Sequence, residues 1–241
     1  GALRGISLAV GEHIFLPLDH PLRFLHDQMP VPNVGLVVGE TLNKHVERKL
    51  VPEYLKWLGK NVKYTTRRNP NGTVIQITIH KDYHGHDCGS VIFYSSYDSP
   101  CDGFESTEYH WAQLDEPPPE AHWVAIERGL VSYSGILYMT MTHLKEPWIN
   151  DVIDSSVDLG GTDIRTRVVE MGSIYDNAIE NGGILSMQAI EDFVRTVPEE
   201  QKDARVWGKR MAGGGLIFAT FEDAVPYVVP DFQIPRFTFP P

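Results

Sequence analysis

Trp111-Ala112-Gln113-Leu114-Asp115-Glu116, running into Pro117-Pro118-Pro119, is the stretch on which the fold turns. An apolar run that ends in two carboxylates and then meets prolines reads as a strand passing into a helix. That helix is PPPEAHWVAIERGLV, with Ala121, Val124, Ala125 and Leu130 as its apolar stripe. A strand ending in Asp-Glu puts both side chains at the carboxyl edge of a parallel sheet, where open α/β folds bind ligands. Nucleotide hydrolysis needs such a pair: Asp115 to hold Mg²⁺, directly or through its water, and Glu116 to polarise a water for attack on a γ-phosphate. The same pair also suits a solvated helix N-terminus favoured by the dipole, and the dipeptide alone leaves both readings open.

Working outward, a second strand-to-helix unit follows, GILYMTMT (135–142) and then EPWINDVIDSS (146–156). Its strand ends in Thr140-Met141-Thr142 at the same sheet edge. Hydroxyls there either sense a γ-phosphate and move the following segment when it is lost, or are an ordinary β-branched strand end. RTRVVEMG (165–172) and LIFATF (216–221) read as further strands, and Ser186–Arg195 and Pro198–Arg210 as helices. Upstream, Asn33–Val38 is a continuous apolar run suited to a strand buried on both faces. Thr41 is expected to cap a helix with Val46, Leu50, Tyr54, Leu55 and Leu58 on one face, which Pro52 tightens or kinks. Gly1–Val10 reads as a helix with Leu3, Ile6, Ser7 and Val10 on one face, stopped by Gly11. Pro17, Pro21, Pro30 and Pro32 make the next segment a loop.

Between these units the hydrophobic period changes to two. NVKYTTRR (61–68), TVIQITIHK (73–81) and SVIFYSSY (90–97) are separated by NPNG and HGHDCG, which predicts an antiparallel β-meander. Strands alternating with helices elsewhere predict a mainly parallel sheet covered on both faces, an α/β fold.

Composition narrows the function classes. The chain has 241 residues, 42% hydrophobic and 22% charged, enough to bury a sizeable core in one large domain or two small ones. No apolar stretch reaches the ~18 residues of a membrane span, and the first residues lack the pattern of a signal peptide. The formal net charge of −11 disfavours a general DNA-coating role, because it repels phosphates unless basic residues gather on one face. Cys88 and Cys101 are too few for a disulfide framework and read as free structural thiols. The start resembles the middle of a helix without an initiator Met, so a fragment of a longer chain is expected.

Other residues invite chemistry. His80 to Cys88 contains His, Asp and Cys, all zinc ligands, and a metal-dependent hydrolase is one reading; the spacing matches no common site, and the other reading is a polar hairpin turn. His110 is expected to pack against the sheet. Lys60, Lys63, Arg67 and Arg68, and also Lys202, Arg205, Lys209 and Arg210, either line a DNA surface or form solvated faces. Trp57, Trp123, Trp148 and Trp207 are expected as core or interface anchors on helices.

Taken in order, VGLVVGETLNKHVERKLVPEYLKWL, IFYSSYDSPCDGFESTEYHWAQLDEPPPEAHWVAIERGLV, GILYMTMTHLKEPWINDVID, SMQAIEDFVRTVPEEQKDARVWGKR and GLIFATF resemble the large subunit of tailed-bacteriophage terminase, the DNA-packaging motor. LDEPPP and YMTMTHLK carry the resemblance most specifically. It implies a RecA-like P-loop NTPase of the additional-strand catalytic-Glu type over residues 1–222. Asp115 would be the Walker B aspartate and Mg²⁺ ligand, Glu116 the catalytic carboxylate, and Thr140-Met141-Thr142 the coupling motif. ATP and Mg²⁺ are the implied cofactors. The implied partners are double-stranded DNA, a portal protein and a small terminase subunit, with a homo-oligomeric ring forming during packaging. The implied location is the host cytoplasm, docked transiently on the procapsid and without a membrane.

The departures are equally specific. No G-x-x-x-x-G-K-[ST] phosphate cradle occurs, and the resemblance places it just before the helix that begins at Gly1, so this chain is expected to start after it and to be inactive in isolation. Residues 223–241, with Pro226, Pro230, Pro235, Pro240 and Pro241, read as a linker towards a nuclease domain that is not expected within these residues. The place of a trans-acting arginine in some relatives falls near Glu105. A non-catalytic assembly or interaction module derived from such an ATPase is the alternative.

Overall fold

The computed structural model describes residues 1–20, 23–24, 29–142, 146, 148–149, 151–153 and 172–209. Its centre is a six-stranded sheet, in which β1 (Val34–Gly39), β4 (Val91–Ser96), β5 (Trp111–Asp115) and β6 (Ile136–Thr140) run parallel in the order β4-β1-β5-β6. On the β4 side, β3 (Val74–Lys81) and β2 (Lys63–Arg68) add antiparallel strands and complete the expected meander. The meander is therefore the flank of the parallel sheet: β4 belongs to both.

Two helical layers cover the sheet. One face carries α1 (Ala2–Val10), the helical segment Leu42–Leu50 and α2 (Val51–Leu58), packing Ile6, Ala9, Val46, Tyr54 and Leu58 on Val37, Ile77, Ile92 and Trp111. The other carries α3 (Asp102–Glu105) and α4 (Glu120–Val131), packing Phe104, Ala125, Ile126 and Leu130 on Leu36, Val38, Ala112 and Leu114. Burying each of the Val, Leu, Ile and Phe side chains among these contributes about 1.5–3 kcal/mol. β1 alternates between these cores, as its unbroken apolar sequence requires.

Several expectations need correction. α1 ends at Gly11 as expected, in a left-handed conformation (φ 72°), yet from Gly5 to Val10 the helix is buried all round rather than along one face. After β1 the chain does not form a simple kinked α-helix: Leu42–Leu50 is π-helical and passes into α2 at Val51, just before Pro52. Pro52 lacks an N–H and its ring excludes α geometry in the preceding turn, so the helix changes type there. Thr41 occupies the N-cap without a side-chain capping bond. On α4 the buried residues are His122, Ala125, Ile126, Gly129 and Leu130, whereas Ala121 and Val124 face outward.

Trp148–Ile149 and residues 151–153 are helical, as EPWINDVIDSS predicts. The strand expected at 165–172 falls outside the described residues apart from Gly172, and LIFATF and the proline-rich end lie wholly outside them. α5 (Met187–Thr196) forms where expected, with Ser186 Oγ accepting from the Ala189 N–H at 3.2 Å. The helix expected over Pro198–Arg210 is shorter: a 3₁₀ turn, Glu199–Gln201, leads into α6 (Lys202–Trp207), which Gly208 stops at φ 63°. No helix among the described residues is long and apolar enough to cross a membrane.

Candidate functional site

The loops after the four parallel strands meet at the end of β5. Asp115 and Thr140 are register partners, and their side chains are joined, with Thr140 Oγ1 donating to Asp115 Oδ1. The other carboxylate oxygen, Oδ2, lies 2.7 Å from His45 Nε2, in the π-helical segment after β1. Glu116, one residue further, is held at three points. Its N–H donates to Thr140 O at 2.8 Å, its carbonyl accepts from the Tyr97 hydroxyl at 2.9 Å, and its Oε2 accepts from the Thr142 N–H at 3.1 Å. Its φ of 68° lies in the left-handed region, and Pro117 beyond it disfavours right-handed helical geometry.

Asp115, Glu116, Thr140 and Thr142 are thus brought together, all four from the sequence reading. The sequence reading does not single out His45 and Tyr97, since each comes from the segment after a different strand and neither forms a local motif. Burial foremost, then Asp115, Glu116 and Glu40, pushes the Tyr97 phenol far up, so it is a fixed donor and not an acid.

Beneath the carboxylates lies a polar floor. Gln113 is buried inside β5, and its Oε1 accepts from the Tyr54 hydroxyl at 2.6 Å and the Tyr138 hydroxyl at 3.0 Å. A Gln in an otherwise apolar strand was the available signal for it. Burial raises both phenols, so they stay protonated. α1 approaches so closely that a Cβ on Gly5 would fall 1.9 Å from the Tyr54 hydroxyl oxygen. The first turn of α1 opens into a cleft of about 270 Å³ bounded by Gly1, Ala2, Leu50, Glu53, Gln113 and Asp115. A somewhat larger cavity, about 310 Å³, lies on the other sheet face between Leu36, Phe93, Phe104 and Tyr109. It contains no carboxylate, whereas Asp115 and Glu53 bound the smaller cleft.

Mg²⁺ is bound in nucleotide sites through one or two carboxylates, with phosphate oxygens and waters completing the octahedron. Asp115 at the mouth of the cleft fits that demand, each oxygen still having a lone pair beyond its one protein donor. A cage is not needed, and no group of three or more His, Cys, Asp or Glu suited to a metal occurs among the described residues.

The remaining candidates have structural partners. In the His80–Cys88 turn, Cys88 is buried with its thiol on Ala9 O at 3.5 Å, and Lys81 pairs with Asp87 at 2.9 Å. His80 Nε2 lies 2.9 Å from Thr65 Oγ1, and His84 Nε2 lies 2.9 Å from Glu12 Oε2. His110 Nδ1 accepts the Val34 N–H at 3.1 Å and its ring stacks on Tyr133 at 3.8 Å. Lys63 and Arg67 are both exposed on β2, whereas Lys202 and Lys209 lie near Glu199 and Asp203 at 2.5 and 3.7 Å. Trp57 and Trp207 are 42% and 48% exposed and are not core anchors; Trp123 and Trp148 meet edge to face at 5.6 Å. Glu105 lies 3.6 Å from Arg128.

Comparison of the sequence with protein-family models and with curated proteins gives no match. The structure is similar to the large terminase from a thermophilic bacteriophage, with a TM-score of 0.57 and 13% identity over 74% of this chain and 41% of that one. The same terminase in complex with ADP gives a TM-score of 0.54 at 14% identity, covering 73% of this chain and 40% of that one. The chain therefore spans about two fifths of the length of the protein it resembles. At that identity the likeness shows the fold: a mixed α/β domain with a mostly parallel six-stranded sheet, of the large-terminase type.

Proposed function

We propose that the chain is the ATPase part of a viral genome-packaging motor, of RecA-like P-loop type, coupling Mg²⁺-ATP hydrolysis to translocation of double-stranded DNA. The observation that carries this reading is the convergence of Asp115, Glu116, Thr140 and Thr142 at one sheet edge, beside the first turn of α1. The fold shared with the thermophilic phage terminase, one of whose structures is in complex with ADP, supports it. Portal protein, small terminase subunit, ring assembly and docking on the procapsid belong to the same proposal, as does the host cytoplasm as its location.

In this mechanism the start of α1 and a phosphate cradle bind the phosphates. Asp115 holds Mg²⁺, which supplies charge neutralisation on the phosphate oxygens when bound. Glu116 accepts the hydrogen bond of the attacking water and orients it. The Thr142 N–H occupies Glu116 Oε2 here, which ties the carboxylate to the segment after β6. Movement of that segment and release of Glu116 are then one event, and this is how hydrolysis would reach the rest of the motor.

The test is Glu116→Gln in the protein as its genome encodes it. Hydrolysis should fall by about 10²–10⁴-fold while ATP binding is retained. Unchanged turnover would remove Glu116 from the mechanism. The second reading is a non-catalytic assembly module, taken of the 241-residue chain by itself. A Mg²⁺-ATP titration of that chain with no saturable binding would support it.

A further inference from the structure

We propose that His45 is the positioning residue of the Asp115 carboxylate, and that the π-helical segment Leu42–Leu50 together with Gly39 is the local device that delivers it. The inference rests on the reading of Asp115 as the carboxylate that holds Mg²⁺.

His45 is buried, and both ring nitrogens are engaged. The Glu40 N–H donates to Nδ1 at 3.2 Å, so Nδ1 is an acceptor and the proton of the neutral ring sits on Nε2. That N–H points at Asp115 Oδ2, 2.7 Å away, from 70 residues earlier in the chain. With Thr140 on Oδ1, the carboxylate is gripped by one donor from the π-helical segment after β1 and one from the end of β6. Its plane is thereby set, and the remaining lone pairs are left for a cation and its waters.

Two features make this reach possible. Thr41 O accepts from both the His45 N–H at 3.1 Å and the Val46 N–H at 3.0 Å, the second being the five-residue step of a π turn, and His45 and Val46 are both buried. Gly39, the last residue of β1, provides the room: a Cβ there would lie 3.3 Å from His45 Cγ and Nδ1 and 3.2 Å from Leu50 Cδ1. A larger residue at 39 would press on the ring that aims at Asp115.

A partner holding a metal-binding carboxylate by hydrogen bond commonly governs metal affinity or activity by 10–100-fold. The experiment compares His45→Ala, His45→Gln and Asp115→Ala in the protein as its genome encodes it, titrating Mg²⁺ against binding of a fluorescent ADP and, separately, against turnover. His45→Ala should raise the half-saturating Mg²⁺ about tenfold and leave Mg²⁺-free ADP binding unchanged. His45→Gln, whose side-chain amide N–H reaches the same oxygen, should return to within about threefold of wild type. If Asp115→Ala shifts the Mg²⁺ dependence and a folded His45→Ala does not, His45 is not a positioning residue, although the reading of Asp115 stands. If Asp115→Ala shifts nothing, that reading fails and takes this inference with it. Where His45→Ala does not fold, the His45→Gln titration and the imidazole ¹⁵N spectrum of the metal-free wild type decide. A proton on Nε2, lost from its downfield position in Asp115→Ala, is the expected result, and a proton on Nδ1 overturns the proposal.

Discussion

The Thr142 N–H donates to Glu116 Oε2 at 3.1 Å, so the first residue past β5 is tied to the second residue past β6. The tie crosses between neighbouring parallel strands, and it joins a carboxylate at the sheet edge to the backbone that leads out of the sheet. Glu116 reaches this position through a left-handed backbone conformation.

That conformation has a measurable cost. Glu116→Ala and Glu116→Gly both remove the carboxylate, but only alanine keeps a Cβ in the left-handed region. The glycine variant is expected to be about 1 kcal/mol more stable than the alanine variant, read from urea unfolding midpoints. Equal stabilities would mean that Glu116 relaxes out of this geometry in solution.

The inward face of α4 differs from the one its apolar spacing suggests. Ile126 is fully buried and Val124 is 59% exposed. Ile126→Ala should cost about 2–5 kcal/mol, and Val124→Ala should stay within about 0.5 kcal/mol. The reverse order would place the helix on the other face.

Acid should weaken the fold through two histidines. Burial lowers the pKa of both His13 and His110 from 6.5, with Arg4 adding to the effect at His13. The unfolded chain therefore binds more protons in the window below 6.5. Their contribution is complete above that value and is lost as the pH falls towards the folded values. His110→Asn retains an acceptor for the Val34 N–H and does not titrate, so its unfolding midpoint should change less between about pH 7 and 5. A slope equal to that of wild type would exclude His110 as a source.

Lys63 and Arg67 are both exposed on β2, while Lys202 and Lys209 lie close to carboxylates of their own segment. If the motor touches DNA through the meander, the double variant Lys63→Glu/Arg67→Glu should weaken duplex binding uniformly across sequences. The salt dependence should lose about two units of slope. Lys202→Glu/Lys209→Glu should bind as wild type does. Matching losses in both variants would indicate a general charge effect and no contact at β2.

Much of the architecture follows from the sequence, because hydrophobic period and turn chemistry are local. The apolar run into Asp115-Glu116, the run into Thr140, the period of two from Asn61 to Tyr97 and the glycine stop at Gly11 each report a preference of a few adjacent residues, and each element forms there. The residue types of the carboxylate pair and of the threonines could be read the same way. What remained hidden depends on who neighbours whom. The inward face of α4 includes His122 and Gly129, which no hydrophobic period marks, and it is chosen by the sheet beneath. The pairing of His45 with Asp115 exists because β1 and β5 are adjacent in the order β4-β1-β5-β6, and because a π turn and Gly39 let one ring cross between them. Strand order and helix register are decided by the packing of the whole chain, so tertiary structure alone determines which donors hold Asp115.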